Sequence, residues 1–369
     1  MFSIDRAAFD ENSAFRKRIL DYGSLFDKLH VVIYTKPGFI EIDLGARVHI
    51  VPTNSSIKFL ALRDMYRVGA HILKADTADW VITSQEEFTG AVCAFLKWRY
   101  GVPWQAQIHS DVFSSYFRKF SAKNALRVFI ALRLVRYATR IRVVGERMRI
   151  AIERIGVRTP VDVLPIFVYT ARFREIAEMR AQCSSGSFDF IFLMVSRLAP
   201  EKNIPMAIRA FAEIVKQFPK TTLRIVGDGP LRGELEKLSV SLNLGSRIQF
   251  EGWQKVIDGY LKAADCFLST SWYEGYGMNV VEAMAAGLPV ITTDVGVTGD
   301  LIENGKTGLV VAPGDENAFR TALIEIMSQE QLRAALGTAA SLRVNNLPSY
   351  QEYLKLFHTG LALCLQNKN

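Results

Sequence analysis

The sequence lacks most of what would mark a metal centre, a disulfide scaffold, a disordered chain or a membrane span. Its four cysteines, Cys93, Cys183, Cys266 and Cys364, stand far apart and in no CxxC spacing. They are read as buried thiols, with no metal site among them. No proline-rich or glycine-serine tract interrupts a chain that is 49% apolar and 22% charged, so disorder is excluded. No window of about eighteen uncharged apolar residues exists, because the most apolar stretch, 128–135, is broken by Arg133 and flanked by Arg127 and Arg136. The opening MFSIDRAAFDEN carries acids and no apolar stretch behind a basic start, which is not the pattern of a signal peptide. The expected location is the cytoplasm. No GxSxG elbow is present, and the adjacency of His109, Ser110 and Asp111 does not supply triad geometry.

What is present is a repeated grammar of strand and helix. Nearly continuous apolar runs at 2–4, 31–34, 48–51, 80–83, 106–108 and 141–144 are strand candidates for a parallel sheet covered on both faces. Helical patterns at 15–28, 58–73 and 88–99 lie between them. The second half repeats this with strands at 190–195, 223–226, 248–250, 266–268 and 290–292. Helices are expected at 205–218 and 231–242 and from about 278, 317 and 330. A length of 369 residues exceeds what one core usually serves, so two doubly wound α/β domains are expected, with a ligand in the cleft between them. The boundaries are set at 1–167 for the first domain, 168–187 for a hinge made of a charged helical stretch and the Gly/Ser tract 183–187, and 188–346 for the second domain.

Several residues stand where such sheets collect ligands. Glu274-Gly275-Tyr276-Gly277 runs directly into a helix starting at Met278, so the backbone can approach a diphosphate with the free amides of the first turn pointing at it. Glu282, one turn on, offers two acceptor oxygens that match two ribose hydroxyls. The alternative is that Glu274 and Glu282 are solvated surface acids, disfavoured by the apolar surround of Val280, Val281, Ala283, Met284 and Ala285. Arg197 and Lys202 flank the loop after the strand 190–195 and suit the charge of a departing nucleoside diphosphate. Taken alone, they would more often be solvent-facing. Gly227-Asp228-Gly229-Pro230 reads first as an ordinary strand-to-helix turn. His109 closes the strand 106–108 at the same edge and is a candidate to meet the reacting sugar, while Asp111 suits either chemistry or a helix cap.

Charge is concentrated in one place. Residues 112–158 hold twelve Lys or Arg against Glu146 and Glu153, a net +10 in a chain of net +8. Phe113, Tyr116, Phe117, Phe120, Phe129 and Ile130 lie among these cations. The mixture favours an anionic membrane interface over a solvated face, and both over nucleic acid, for which no motif is present.

Together these segments resemble the nucleotide-binding half of the retaining glycosyltransferases of family 4. They are Ser196-Arg197-Leu198 to Lys202-Asn203, Val226 to Pro230, Glu274 to Met278, and Glu282 to Val290. The resemblance covers about 190–327 strongly and the first half more loosely. It implies a GT-B fold, with a last helix, 347–369, crossing back to the first domain. It implies that Arg197 and Lys202 hold the donor diphosphate, that Glu274 holds the transferred sugar, and that His109 lies beside that sugar. Further donor contacts are implied at Gly227, Gly229, Gly275, Tyr276, Gly277, Met278, Asn279, Val280 and Glu282. The implied donor is a UDP- or GDP-sugar, the acceptor a glycan or lipid-linked glycan, and neither a metal nor a permanently bound cofactor is needed. A basic segment touching lipid would place the protein at the inner face of the cell membrane. Two departures stand out: residues 5–13 replace the usual glycine-rich first loop, and Gly296-Val297-Thr298-Gly299-Asp300 replaces paired glycines with Pro-Glu. The first keeps open a catalytically silent sugar-nucleotide-binding module, and the fold is shared with sugar-nucleotide epimerases.

Overall fold

A computed structural model describes residues 1–75, 78–182 and 190–366, without the side chains of residues 87 and 180–182. The chain divides into two compact units. Met1–Phe113, Ser121–Pro165 and Pro348–Asn369 form the first, and Ser114–Phe120 with Ile166–Leu347 the second.

The first unit is built on an eight-stranded sheet. Its strands are β1 (Phe2–Ser3), β2 (Leu29–Ile33), β3 (Ile42–Leu44), β4 (Val48–Pro52), β5 (Ile82–Ser84), β6 (Trp104–Ile108), β7 (Arg140–Val143) and β8 (Val161–Val163). They lie in the order β3-β4-β2-β1-β5-β6-β7-β8, and every pairing is parallel except β3 with β4. The edge strands β3 and β8 carry no continuous apolar run, being half-buried or exposed along their length, which is why the pattern of apolar runs passes over them. Residues 5–13 form a single 3-10 turn, Arg6–Phe9, capped by the Asp5 carboxylate on the Ala7 amide at 2.9 Å.

The helix Tyr350–Gln366 packs within this unit. Its Phe357 stacks on Tyr22 with ring centroids 4.3 Å apart, and the Tyr353 hydroxyl accepts a 2.9 Å hydrogen bond from Arg142. Arg142 is thus buried, also donating to the Leu164 carbonyl at 3.3 Å. Arg140 pairs with Asp162, and Arg149 with Glu146 and Glu153. Several cations of 112–158 therefore have structural partners, and the segment is not one uniform basic face.

The second unit carries a six-stranded, wholly parallel sheet of β9 (Phe190–Val195), β10 (Thr221–Val226), β11 (Ile248–Gly252), β12 (Cys266–Ser269), β13 (Val290–Thr293) and β14 (Leu309–Val311). Its order is β11-β10-β9-β12-β13-β14. The chain winds outward from β9 to β11 and then returns to the other side of β9 at β12. That reversal opens a crevice at the carboxyl ends of β9 and β12. The helix Ile204–Gln217 covers the sheet because its apolar positions recur at helical spacing: Ile204, Ala207, Ile208, Phe211 and Ile214 are buried, with Phe211 edge-on to Phe192 of β9 at 6.4 Å.

Ala171–Gln182, placed in a hinge on sequence, is a helix of the second unit packed on the helices Asp258–Ala263 and Met278–Ala285. Phe173 and Ile176 anchor it beneath a charged outer face, which is the charged helical pattern legible in the sequence. The tract 183–187 lies outside the described residues, as does Cys183. The other three cysteines are free thiols in buried positions.

Candidate functional site

Three loops meet at the carboxyl edge of the second sheet. The first leaves β9 as Ser196-Arg197-Leu198 and closes in the 3-10 turn Pro200–Lys202. The second, Gly227-Asp228-Gly229-Pro230, is joined to it by main-chain hydrogen bonds: the Leu198 amide donates to the Asp228 carbonyl at 2.9 Å, and the Leu231 amide to the Leu198 carbonyl at 3.0 Å. Glycine is required at this junction. A Cβ at Gly227, whose φ is +135°, would sit 1.9 Å from the Ser196 carbonyl oxygen, and one at Gly229 would sit 2.5 Å from that of Leu198. The turn is therefore more than an ordinary strand-to-helix connection, because it fixes the loop that carries Arg197.

The third loop runs from β12 through Glu274 to the helix Met278–Ala285. Lys202 and Glu274, far apart in sequence, form an ion pair here, with only 18% and 15% of their side chains exposed. The Ser271 hydroxyl donates to the same Glu274 oxygen at 2.8 Å, and the Thr270 hydroxyl donates to the Lys202 carbonyl at 2.8 Å. Cation, carboxylate and hydroxyl thus converge just beyond β12. Arg197 is held by Glu201 while its own side chain stays 67% exposed. Glu201 in turn accepts the Trp272 amide on its main-chain carbonyl at 2.8 Å, tying the first loop to the third.

The helix start is braced from beneath. Gly277 caps it at φ 92°, in the left-handed region open to glycine. Asn279 donates through Nδ2 to the Val195 carbonyl at 2.6 Å, locking the first turn onto the end of β9. The earliest amides of any helix have no intrahelical acceptor, and here they stand at the crevice edge. Tyr276 and Val280, expected as donor contacts, have buried side chains, and the Val280 amide already donates to the Gly277 carbonyl and to Asn279 Oδ1, each at 3.0 Å. Burial foremost raises the Tyr276 hydroxyl pKa, with the charge of Asp300 adding to it.

Glu282 is half-buried. Desolvation raises its carboxyl pKa, nearby Arg172 opposes the shift, and Asp258 adds to it. Arg172, Glu201 and Ser271 were not singled out on sequence. Arg172 lay in the supposed hinge, and the other two are polar residues of loops whose meeting only the sheet order reveals.

His109 directly follows β6 in the first unit. Its Nε2 is buried and has no hydrogen-bond partner among the described residues. Burial, then the charges of Arg142 and Arg18, push the imidazole down to about 3, so it is neutral at physiological pH. A cavity of about 70 Å³ touches it together with Ser84, Gln107 and Ser110, room for water rather than for a ligand. A cavity of about 530 Å³, lined by Phe26, His30, Trp80 and His358 among others, lies at the opposite edge of this sheet, by the amino ends of β1, β2 and β5. None of the residues discussed above for chemistry lines it.

Known proteins are similar to this chain. Residues 175–343 match the family model Glycosyl transferases group 1, and residues 29–166 match Glycosyl transferase 4-like domain. The chain carries the GT-B fold, and each of its halves matches a glycosyltransferase family model. The structure of HepE from Anabaena in complex with UDP is similar to this GT-B chain over 98% of both, with a TM-score of 0.76 at 19% identity. A glycosyltransferase of Methanocaldococcus jannaschii is 24% identical over 301 residues, 79% of this chain and 77% of that protein. Alpha-monoglucosyldiacylglycerol synthase of Acholeplasma laidlawii is 30% identical over 212 residues, 57% of this chain. The matched region spans only about half, 52%, of that enzyme's length.

Proposed function

We propose that the protein transfers a hexose-type residue from a nucleoside diphosphate sugar to a hydroxyl of a glycan or lipid-linked acceptor, with retention of anomeric configuration and without a metal ion. The observation that carries this reading is the meeting of Lys202, Glu274 and Ser271 beside the braced start of the helix Met278–Ala285. In this account a diphosphate settles against the amides of that first turn and takes over Lys202, while Arg197 swings in from the exposed edge. Glu274, released from Lys202, accepts hydroxyls of the transferred sugar, and Glu282 accepts those of the ribose. The cations stabilise the charge that develops as the sugar–phosphate bond breaks. The acceptor attacks from the same face, and the leaving phosphate oxygen takes its proton, so no carboxylate nucleophile is needed.

HepE was captured with UDP, which favours a uridine nucleotide here. The name of the Acholeplasma synthase favours a lipid acceptor. The neutral His109 suits a place beside a sugar that becomes cationic, where a second positive charge would be unfavourable.

The test is incubation with a panel of UDP- and GDP-sugars, a membrane lipid extract and a chelator, following nucleoside diphosphate release and labelled product. Turnover is expected with one donor, and Lys202→Ala should lower it by about a hundredfold or more, the scale seen when one charge-stabilising donor is removed. Donor binding without transfer would instead favour the silent module, and conversion of the donor sugar alone would favour an epimerase.

A further inference from the structure

Three neighbouring helices of the first unit carry apolar side chains on the wrong side. Ala61–Ala75, Glu87–Tyr100 and Ala122–Leu134 follow β4, β5 and β6, and the chain moves in one direction across the sheet at each step. Right-handed crossovers therefore place all three in one layer. They pack on one another, with the Tyr66 and Phe95 rings 5.0 Å apart.

The buried residues of these helices, such as Met65, Val92, Leu96, Val128 and Ala131, already satisfy the sheet. A second apolar set remains outside. Phe59, in the turn leading into the first helix, is 92% exposed, Trp98 75%, and Leu126 and Phe129 55% each, with Leu62 and Phe95 also exposed. Phe95 stacks on Trp98 at 5.3 Å and also meets Tyr66, so these three rings form a cluster rather than isolated side chains. An exposed apolar patch of this kind marks an interaction surface.

Its rim is cationic. Residues 57–75, 87–100 and 122–137 contain ten Lys or Arg against two acids, Asp64 and Glu87, and Asp64 is engaged by Arg63 at 3.0 Å. Lys58, Arg67, Arg99, Lys123 and Arg133 are exposed on the same elements, and the Arg133 guanidinium lies 4.7 Å from the centre of the Phe129 ring. Aromatic and aliphatic groups ringed by long cationic side chains match a bilayer surface, with apolar tips at the acyl boundary and cations at anionic headgroups. Among the described residues no helix is long and apolar enough to cross a membrane.

We infer that this three-helix face docks the protein on an anionic lipid surface. The inference rests on the lipid-linked acceptor of the proposed function and assigns the contact to a surface. The basic segment 112–158 contributes through its helix Ala122–Leu134, while the apolar anchors come largely from residues 57–99, outside that segment.

The experiment is flotation of the full chain with vesicles of phosphatidylcholine alone and of phosphatidylcholine with phosphatidylglycerol, at low and high salt, with mass measured by light scattering. Binding is expected only to the anionic vesicles and should weaken with salt. Phe59→Ser/Phe95→Ser/Trp98→Ser should reduce the bound fraction at least tenfold, and Lys123→Glu/Arg133→Glu should do the same, with both variants still folded by circular dichroism at the assay temperature. No binding to anionic vesicles, or equal binding by these variants, overturns the inference. So does a dimer in solution that the triple substitution dissolves, since the face would then be a protein interface. No sugar nucleotide enters this assay, so its failure leaves the transfer reaction standing, and failure of transfer leaves the docking result standing.

Discussion

A histidine that cannot hold a proton is a cost to the folded state in acid. His109 is pushed down to about 3, against 6.5 for the free side chain. Between those values the unfolded chain binds a proton that the folded one does not. The contribution of His109 is thus fully present above about pH 6.5 and is lost as pH falls toward 3. His109→Asn removes that titration. Urea midpoints measured from pH 7 down to pH 4 should show the wild type losing stability faster than the variant, and parallel curves would contradict the burial argument. At this scale the sequence placed His109, Arg197, Lys202 and Glu274 on candidate loops by residue type and position after a strand. It did not show that Lys202 and Glu274 pair, because 71 residues separate them and only the order β9-β12 brings their loops together. Nor did it show which members of the run 276–280 face inward, since the glycines that free the backbone also hide the helical phase.

Elements govern how firmly the site is held. The loops after β9 and β10 are packed main chain to main chain, which leaves no space for a side chain at Gly227. Gly227→Ala is expected to cost about 2 kcal/mol from its left-handed φ alone, roughly 4–8 °C of Tm for a unit of this size, with the overlap on Ser196 adding to it. Differential scanning calorimetry reads this directly, and an unchanged melting temperature would mean that the loops are not joined as described. The buried strands were legible because parallel strands covered on both faces are continuous apolar runs, and β9 coincides with the run 190–195. The short outer strands β3, β8 and β14 have three residues each, too few for any period to register. The stretch before residue 183 reads as a charged helix in the sequence, and Ala171–Gln182 is one. Its charge pattern is that of an exposed helix, and two buried anchors, Phe173 and Ile176, are too few to announce packing.

At the scale of the whole molecule, the architecture was readable because the βα grammar repeats in both halves, and local apolar spacing is sufficient to dictate a doubly wound sheet. Surface character was not readable in the same way. The +10 stretch at 112–158 looked like one basic face, yet the fold buries Arg142 against the helix Tyr350–Gln366, pairs Arg140 and Arg149, and assigns Ser114–Phe120 to the second unit. Conversely, Phe59, Phe95 and Trp98 lie within the helical patterns 58–73 and 88–99, and only the layer of helices shows them to be outside. The central claim concerns chemistry, and one measurement addresses it most directly. Proton NMR of the product formed from an α-linked nucleoside diphosphate sugar reports the configuration of the new glycosidic bond. The same-face reaction predicts an α-linked product. A β-linked product would contradict it, since inversion requires attack from the opposite face.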